Sequence, residues 1–272
     1  MFNLDVRSVI LIAGIMSLLM AVVLFLLRRN YPPSIKGLSE WAAAPAIIFL
    51  ATLLFGARGA IPDFLSIVVA NLLLFGGSSL LYFGSQRFLG VAPSIKLWSG
   101  LMLLTLIPLA WFALAEPHHG VRVMLITAFM AALSFTHARL ILIRGTRSFS
   151  SHFTAISLLT LALTQSLRFV SALSLPAADG IFDSTSPSQT TYVSVYAFAA
   201  LTATIGMVLM ATDKLRAEFE HLAGHDALTG ALSRRALIDA CEQELERCRR
   251  KGYSMSLLMI DLDHFKAIND AH

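Results

Sequence analysis

Residues 8–27 read SVILIAGIMSLLMAVVLFLL and run directly into Arg28-Arg29. An uncharged stretch of this kind meets the requirement of about 20 apolar residues for crossing roughly 30 Å of hydrocarbon as a helix. No small-x-small cleavage pattern precedes the two arginines, so the stretch reads as a retained span and not as a signal peptide. Six further stretches share its character: 41–57, 64–84, 97–115, 121–143, 153–173 and 191–212. Helix breakers mark the joints between them: Pro32-Pro33, Gly59 with Pro62, Pro93, Pro117 and Pro176.

Composition agrees. Of 272 residues, 56% are hydrophobic and 14% are charged; soluble domains usually carry about 25% charged residues. This excludes a disordered chain and a purely soluble protein. The net charge of +4 is unevenly spread. Residues 1–212 hold 12 Lys or Arg and 6 Asp or Glu, whereas residues 213–272 hold 9 and 11. The break defines a membrane region, 1–212, a linker, 213–224, and a soluble tail, 225–272. The basic excess lies in the apolar part, so it bears on membrane orientation and not on nucleic acid.

Loop charges predict the orientation. The loops after spans one, three and five carry Arg28, Arg29 and Lys36, then Arg87 and Lys96, then Arg144 and Arg147. The opposite loops carry Arg58 with Asp63, Glu116 with Arg122, and Asp179 with Asp183. Lys and Arg are retained on the cytoplasmic side. The expectation is a multi-pass protein of the inner (cytoplasmic) membrane, N-terminus outside and tail in the cytoplasm. Trp41 and Trp98 are expected at the inner interface and Tyr192 at the outer one.

Polar residues within spans are the candidate sensor groups: Asn71, His137, Arg139, Gln165 and Arg168. Structural roles explain them equally well. Arg139 and Arg168 lie near span ends, where they can snorkel. Asn71 and Gln165 suit interhelical hydrogen bonds. His137 has no paired ligand, which weakens a haem or metal reading. Transport is disfavoured, because no internal repeat and no buried acid accompanies the spans.

Span seven continues without Pro or Gly through Asp213-Lys-Leu-Arg-Ala-Glu-Phe-Glu-His-Leu-Ala223. Leu215, Phe219 and Leu222 share a helical face. The stripe suits a dimer seam or packing on the chain's own domain, and its length leaves both open. Beyond Gly224, Ser233 is an N-cap for a helix over 234–250. Lys251-Gly252 ends it. Leu237, Cys241, Leu245 and Cys248 form its apolar face. Two helical turns separate the cysteines, so they cannot bridge, and free thiols suit a reducing cytoplasm.

Ser254–Ile260 is an apolar run that reads as a buried strand, delivering Asp261-Leu-Asp-His-Phe-Lys-Ala-Ile-Asn-Asp270. Carboxylates at the end of such a strand can hold a hard divalent cation. Mg²⁺ there bridges carboxylate and nucleotide phosphate. A nearby Lys can neutralise phosphate charge, and an Asn offers a donor and an acceptor to a base edge.

Two motifs in this order resemble the GGDEF domain family. Asp226-Ala-Leu-Thr-Gly-Ala-Leu-Ser-Arg-Arg235 is similar to its opening motif, with Ala231 where Leu is usual and Ser233 where Asn is usual. Asp261–Asp270 is similar to its first active-site motif. The resemblance implies a mostly α protein, a seven-transmembrane-helix bundle followed by the N-terminal portion of an α/β, ferredoxin-like nucleotide cyclase domain. The implied activity is diguanylate cyclase: two GTP condense into cyclic di-GMP and pyrophosphate with Mg²⁺. By resemblance Asp261 holds the metal through its side chain and Leu262 through its carbonyl. Lys266 stabilises phosphate charge, Asn269 recognises guanine, and the backbone at His264 and Phe265 approaches the phosphates.

The reaction implies a homodimer through the linker helix and the GGDEF domain, with lipid around the bundle. The signature Gly-Gly-Asp/Glu-Glu-Phe hairpin does not occur in the 272 residues. The expectation is therefore a fragment, inactive by itself, of a longer cyclase. The alternatives are a degenerate nucleotide-binding or scaffolding domain and, least favoured, a membrane sensor or transporter with an incidental tail.

Overall fold

The computed structural model describes residues 6–174, 187–224, 229–261, 263–264 and 270. Eight α-helices occur among them: α1 (Val6–Asn30), α2 (Leu38–Gly56), α3 (Ala70–Phe88), α4 (Ile95–Leu114), α5 (His119–Arg144), α6 (Phe149–Ser174), α7 (Pro187–Gly224) and α8 (Arg234–Lys251). A π-helical segment, Phe64–Val69, leads directly into α3. The chain divides into two compact units, Met1–Leu215 and Arg216–His272.

Seven helices among the described residues are long and apolar enough to cross a membrane: Ser8–Asn30, Leu38–Gly56, Phe64–Phe88, Ile95–Leu114, His119–Arg144, Phe149–Leu173 and Thr190–Glu220. Each coincides with one of the seven apolar stretches. Their outward faces explain why water is the wrong solvent. Leu103, Leu104, Ile107 and Trp111 of α4 are 57–70% exposed, a patch that soluble monomers avoid.

The bundle interior mixes aromatic clusters with small residues. Phe75, Trp98 and Phe129 pack α3, α4 and α5 together, with ring centroids 4.4 Å apart for Phe75–Phe129 and 5.7 Å for Trp98–Phe129. α2 meets α3 by a closer route. Gly37, at φ 89°, sits at the start of α2, and a side chain there would strike the carbonyl of Gly84. Only glycine combines that backbone angle with that approach. Trp41 closes over the pair, packs against Phe88 in a tilted ring contact with centroids 4.9 Å apart, and is fully buried. Along α6, Thr154, Ser157 and Thr164 are buried, and each returns its hydroxyl to the carbonyl four residues back. Their polarity is thus satisfied within the helix, and their small size lets Gly206 of α7 lie against Thr154.

α7 is the longest element, at 38 residues. At 1.5 Å per residue it extends about 57 Å, well beyond the roughly 30 Å of a hydrocarbon core. Its last turns within the first unit are tied down by polar contacts. Tyr31 Oη lies 3.2 Å from Thr212 Oγ1, and Ser150 Oγ donates to Asp213 Oδ2 at 2.5 Å. Lys214 Nζ donates to the Phe88 carbonyl at 3.0 Å and lies 4.6 Å from the Phe88 ring centroid.

Two expectations are corrected. Trp41 and Trp98 are not interface anchors: both are buried, and the Trp41 indole donates inward to Leu81 O at 3.1 Å and Ser85 Oγ at 3.2 Å. The α/β domain is also not observed. Among the described residues there is no strand; an isolated bridge joins Arg58 and Ile61. Residues 254–260, expected as a buried strand, have no regular structure, and Leu257, Leu258, Met259 and Ile260 are 67–88% exposed. The cause is the absence of a pairing partner among the described residues. A strand satisfies its N–H and C=O groups only through a neighbour, and it buries a face only in a sheet.

Candidate functional site

The second unit is built around α8. Ser233 caps it as the sequence implies, with Oγ accepting from Ala236 N at 3.3 Å. Gly252, at φ 74°, ends it in a left-handed turn whose N–H bonds the Cys248 carbonyl. Three basic residues, Arg249, Arg250 and Lys251, occupy the last turn, where the helix dipole favours them. Of the apolar face, Cys248 is buried and Cys241 half-buried, while Leu237 and Leu245 are each 46% exposed. Both thiols are free. Tyr253 Oη donates to Glu244 Oε1 at 2.6 Å, and that bond to a carboxylate pushes its phenol up to about 12.

The motif residues are only partly described. Asp261, Asp263 and His264 are exposed, and His264 has φ 60°. Leu262, Phe265, Lys266 and Asn269 lie outside the described residues. Among the described residues no group of three or more His, Cys, Asp or Glu is placed to hold a metal ion. The exposed pair Asp261 and Asp263 is chemically suited to a hard cation, since carboxylate oxygens are its preferred ligands.

Residues 223–272 match the family model of the diguanylate cyclase GGDEF domain. The seven apolar helices fit a membrane-bound protein carrying that domain. The curated relatives agree on the signalling family. The chain is 37% identical over 67 residues to the cyclic di-GMP phosphodiesterase NbdA of Pseudomonas aeruginosa, covering 25% of this chain and 9% of that protein. It is 41% identical over 49 residues to the probable diguanylate cyclase DgcC of Escherichia coli, covering 18% and 13%. It is 49% identical over 45 residues to the diguanylate cyclase DgcP of Pseudomonas aeruginosa, covering 16% and 7%. The chain therefore spans only a small part of these relatives. No solved structure matches.

The bundle contains polar constellations that sequence reasoning did not assemble. His137 is buried, and its Nε2 lies 2.7 Å from Ser85 Oγ, which also accepts from Trp41 Nε1. This layer joins α2, α3 and α5, so His137 acts as interhelical glue. Asn71 donates to Ile67 O at 2.7 Å within its own span and not across helices. Arg168 is half-buried and, with Arg58 and Arg122, lines a cavity between the spans. The available signal was topological: Arg58 follows α2, Arg122 opens α5 and Arg168 precedes the end of α6, which puts all three at one end of an alternating bundle.

Proposed function

We propose that the protein is a membrane-bound diguanylate cyclase that condenses two GTP into cyclic di-GMP with Mg²⁺, regulated through its seven-helix bundle. The observation that carries this reading is the GGDEF match over 223–272, coupled to seven spanning helices. Asp261 and the Leu262 carbonyl hold the metal, Lys266 stabilises phosphate charge, Asn269 reads guanine, and the backbone at His264 and Phe265 approaches the phosphates. The chemistry suits these roles, because a cation and an ammonium act where negative charge develops in phosphoryl transfer.

The proposed arrangement is N-terminus outside and GGDEF domain in the cytoplasm, within the inner membrane. Support comes from Arg28, Arg29, Lys36, Arg87, Lys96, Arg144 and Arg147, which share the end of the bundle that α7 leaves. The domains are a sensor region over 1–212, a signalling helix over 213–224 and the GGDEF region from 225. Catalysis needs two GTP-loaded domains facing each other, so the protein works as a homodimer. The unbroken α7 is the element through which the bundle biases that pairing.

The test is incubation of the full-length protein with GTP and Mg²⁺. Cyclic di-GMP is the expected product, and Asp261→Ala abolishes it without altering the melting temperature, because Asp261 is exposed. Absence of both product and GTP binding overturns the reading. One observation favours a second reading, a GGDEF region that binds nucleotide without cyclase activity: one matched relative is named for cyclic di-GMP hydrolysis. GTP binding without product selects that alternative.

A further inference from the structure

The membrane unit holds a partly open cavity of about 260 Å³ between α1, α2, α3, α5, α6 and α7. It lies just below the usual range of ligand pockets, about 300–1,000 Å³. Its walls are mostly aliphatic, with Met20, Ile48, Leu74 and Leu133 among them. Polar groups such as Asn71, Ser134, His137 and Gln165 also line it, and its charged groups gather at one end, where α2 and α6 finish and α5 and α7 begin. There Arg58, Arg122 and Arg168 line the same space.

An arginine facing an apolar cavity is costly unless something anionic meets it. Arg122 is the sharpest case. It is only 9% exposed, and among the described residues its Nε is buried without a hydrogen-bond partner. His119 Nδ1, one turn earlier on α5, is in the same condition. Asp63 is the acid that offsets this charge among the described neighbours, and it is exposed. Burial, and then Arg122, hold the Arg58 guanidinium below its ordinary value, with Asp63 only partly opposing them. The first turn of α5 adds the positive end of a helix dipole at the same place.

We infer that this cavity is a binding site for a small single-chain amphiphile with an anionic head, the head held by Arg122 with Arg58 and Arg168, the chain lying among the aliphatic walls. A guanidinium fork suits a carboxylate or phosphate oxygen pair. The volume suits one short chain and not a two-chain lipid. The head can belong to a free medium-chain carboxylate or to a bilayer lipid that inserts one chain. The site does not depend on the cyclase reading, since occupancy is measured directly.

The experiment uses the whole protein in phosphatidylcholine nanodiscs and radiolabelled decanoate as the probe. Unlabelled decanoate is expected to displace the label saturably, whereas decan-1-ol and inorganic phosphate at equal concentration do not. Arg122→Gln weakens binding by about tenfold or more, the equivalent of a charge-assisted hydrogen bond, and Arg122→Lys restores part of it. Adding phosphatidylglycerol to the discs separates the sources. Competition assigns the head to a bilayer lipid, and its absence assigns it to a free carboxylate; both support the site. Displacement by decan-1-ol as effective as by decanoate overturns the inference on the wild-type protein alone, with no variant that must fold. Displacement by phosphate alone overturns the role of the apolar walls. An unchanged affinity in Arg122→Gln overturns the role assigned to that residue and with it the site.

Discussion

Gly84→Ala tests whether α2 and α3 meet as closely as the Gly37–Gly84 contact requires. A Cβ at position 84 would lie 2.5 Å from Trp41 Cδ1, 2.8 Å from Trp41 Nε1 and 2.9 Å from the Gly37 carbonyl oxygen. Carbon atoms settle at about 3.5–4.0 Å, so the helices must part by about 1 Å or Trp41 must turn away. Overpacking of this kind costs about 1–3 kcal/mol. Turning the indole also breaks its bonds to Leu81 O and Ser85 Oγ, at about 1 kcal/mol each. Alanine's better helix propensity returns about 1 kcal/mol. Where the indole turns, the net expectation is a loss of about 2–4 kcal/mol, read as a lowered melting temperature of the purified protein in dodecyl maltoside. Gly76→Ala and Gly100→Ala are the controls, because a Cβ at either position meets nothing within 4 Å. Both are expected to leave the melting temperature unchanged or raise it. A Gly84→Ala protein that melts with these controls would refute the close approach.

Other outcomes follow from single contacts. Trp41→Phe keeps the buried ring but deletes both indole hydrogen bonds, lowering stability by about 1–3 kcal/mol in the same melting assay; no loss means Ser85 and His137 hold that layer unaided. Maleimide is expected to label half-buried Cys241 faster than Cys248, which is 6% exposed, and mass spectrometry of timed samples reads the order; equal rates contradict the burial of α8 on that side. Inserting residues one at a time after Arg216 turns everything beyond by about 100° per residue. Cyclase output of the full-length protein is then expected to rise and fall with helical period, and output indifferent to the insertions removes α7 as the route of regulation.

The legibility of the membrane unit has a simple cause. A helix in lipid satisfies every backbone group within its own segment, so 20 residues suffice to specify it, and all seven spans were readable one by one. Contacts between spans were less accessible. Trp41 looked like an interface anchor because it begins a span. Its burial depends on Gly37 and Gly84, 47 residues apart, removing two side chains from one spot. The grouping of Arg58, Arg122 and Arg168 is of the same type. Each residue alone looks like a span-end cation free to snorkel, and only the alternation of the helices brings them to one cavity.

The tail reverses this relation between sequence and structure. Its motif over Asp261–Asp270 is legible in the sequence, yet the α/β fold expected around it is not observed among the described residues. The part that formed as read is α8, a helix capped locally by Ser233 and Gly252. The part that did not is Ser254–Ile260, because a strand is a relation between segments and not a property of one. Its four consecutive large apolar residues, Leu257–Ile260, are exposed, as are Leu237 and Leu245 on α8. With no strand among the described residues to deliver it, Asp261 is placed only by the irregular run that precedes it.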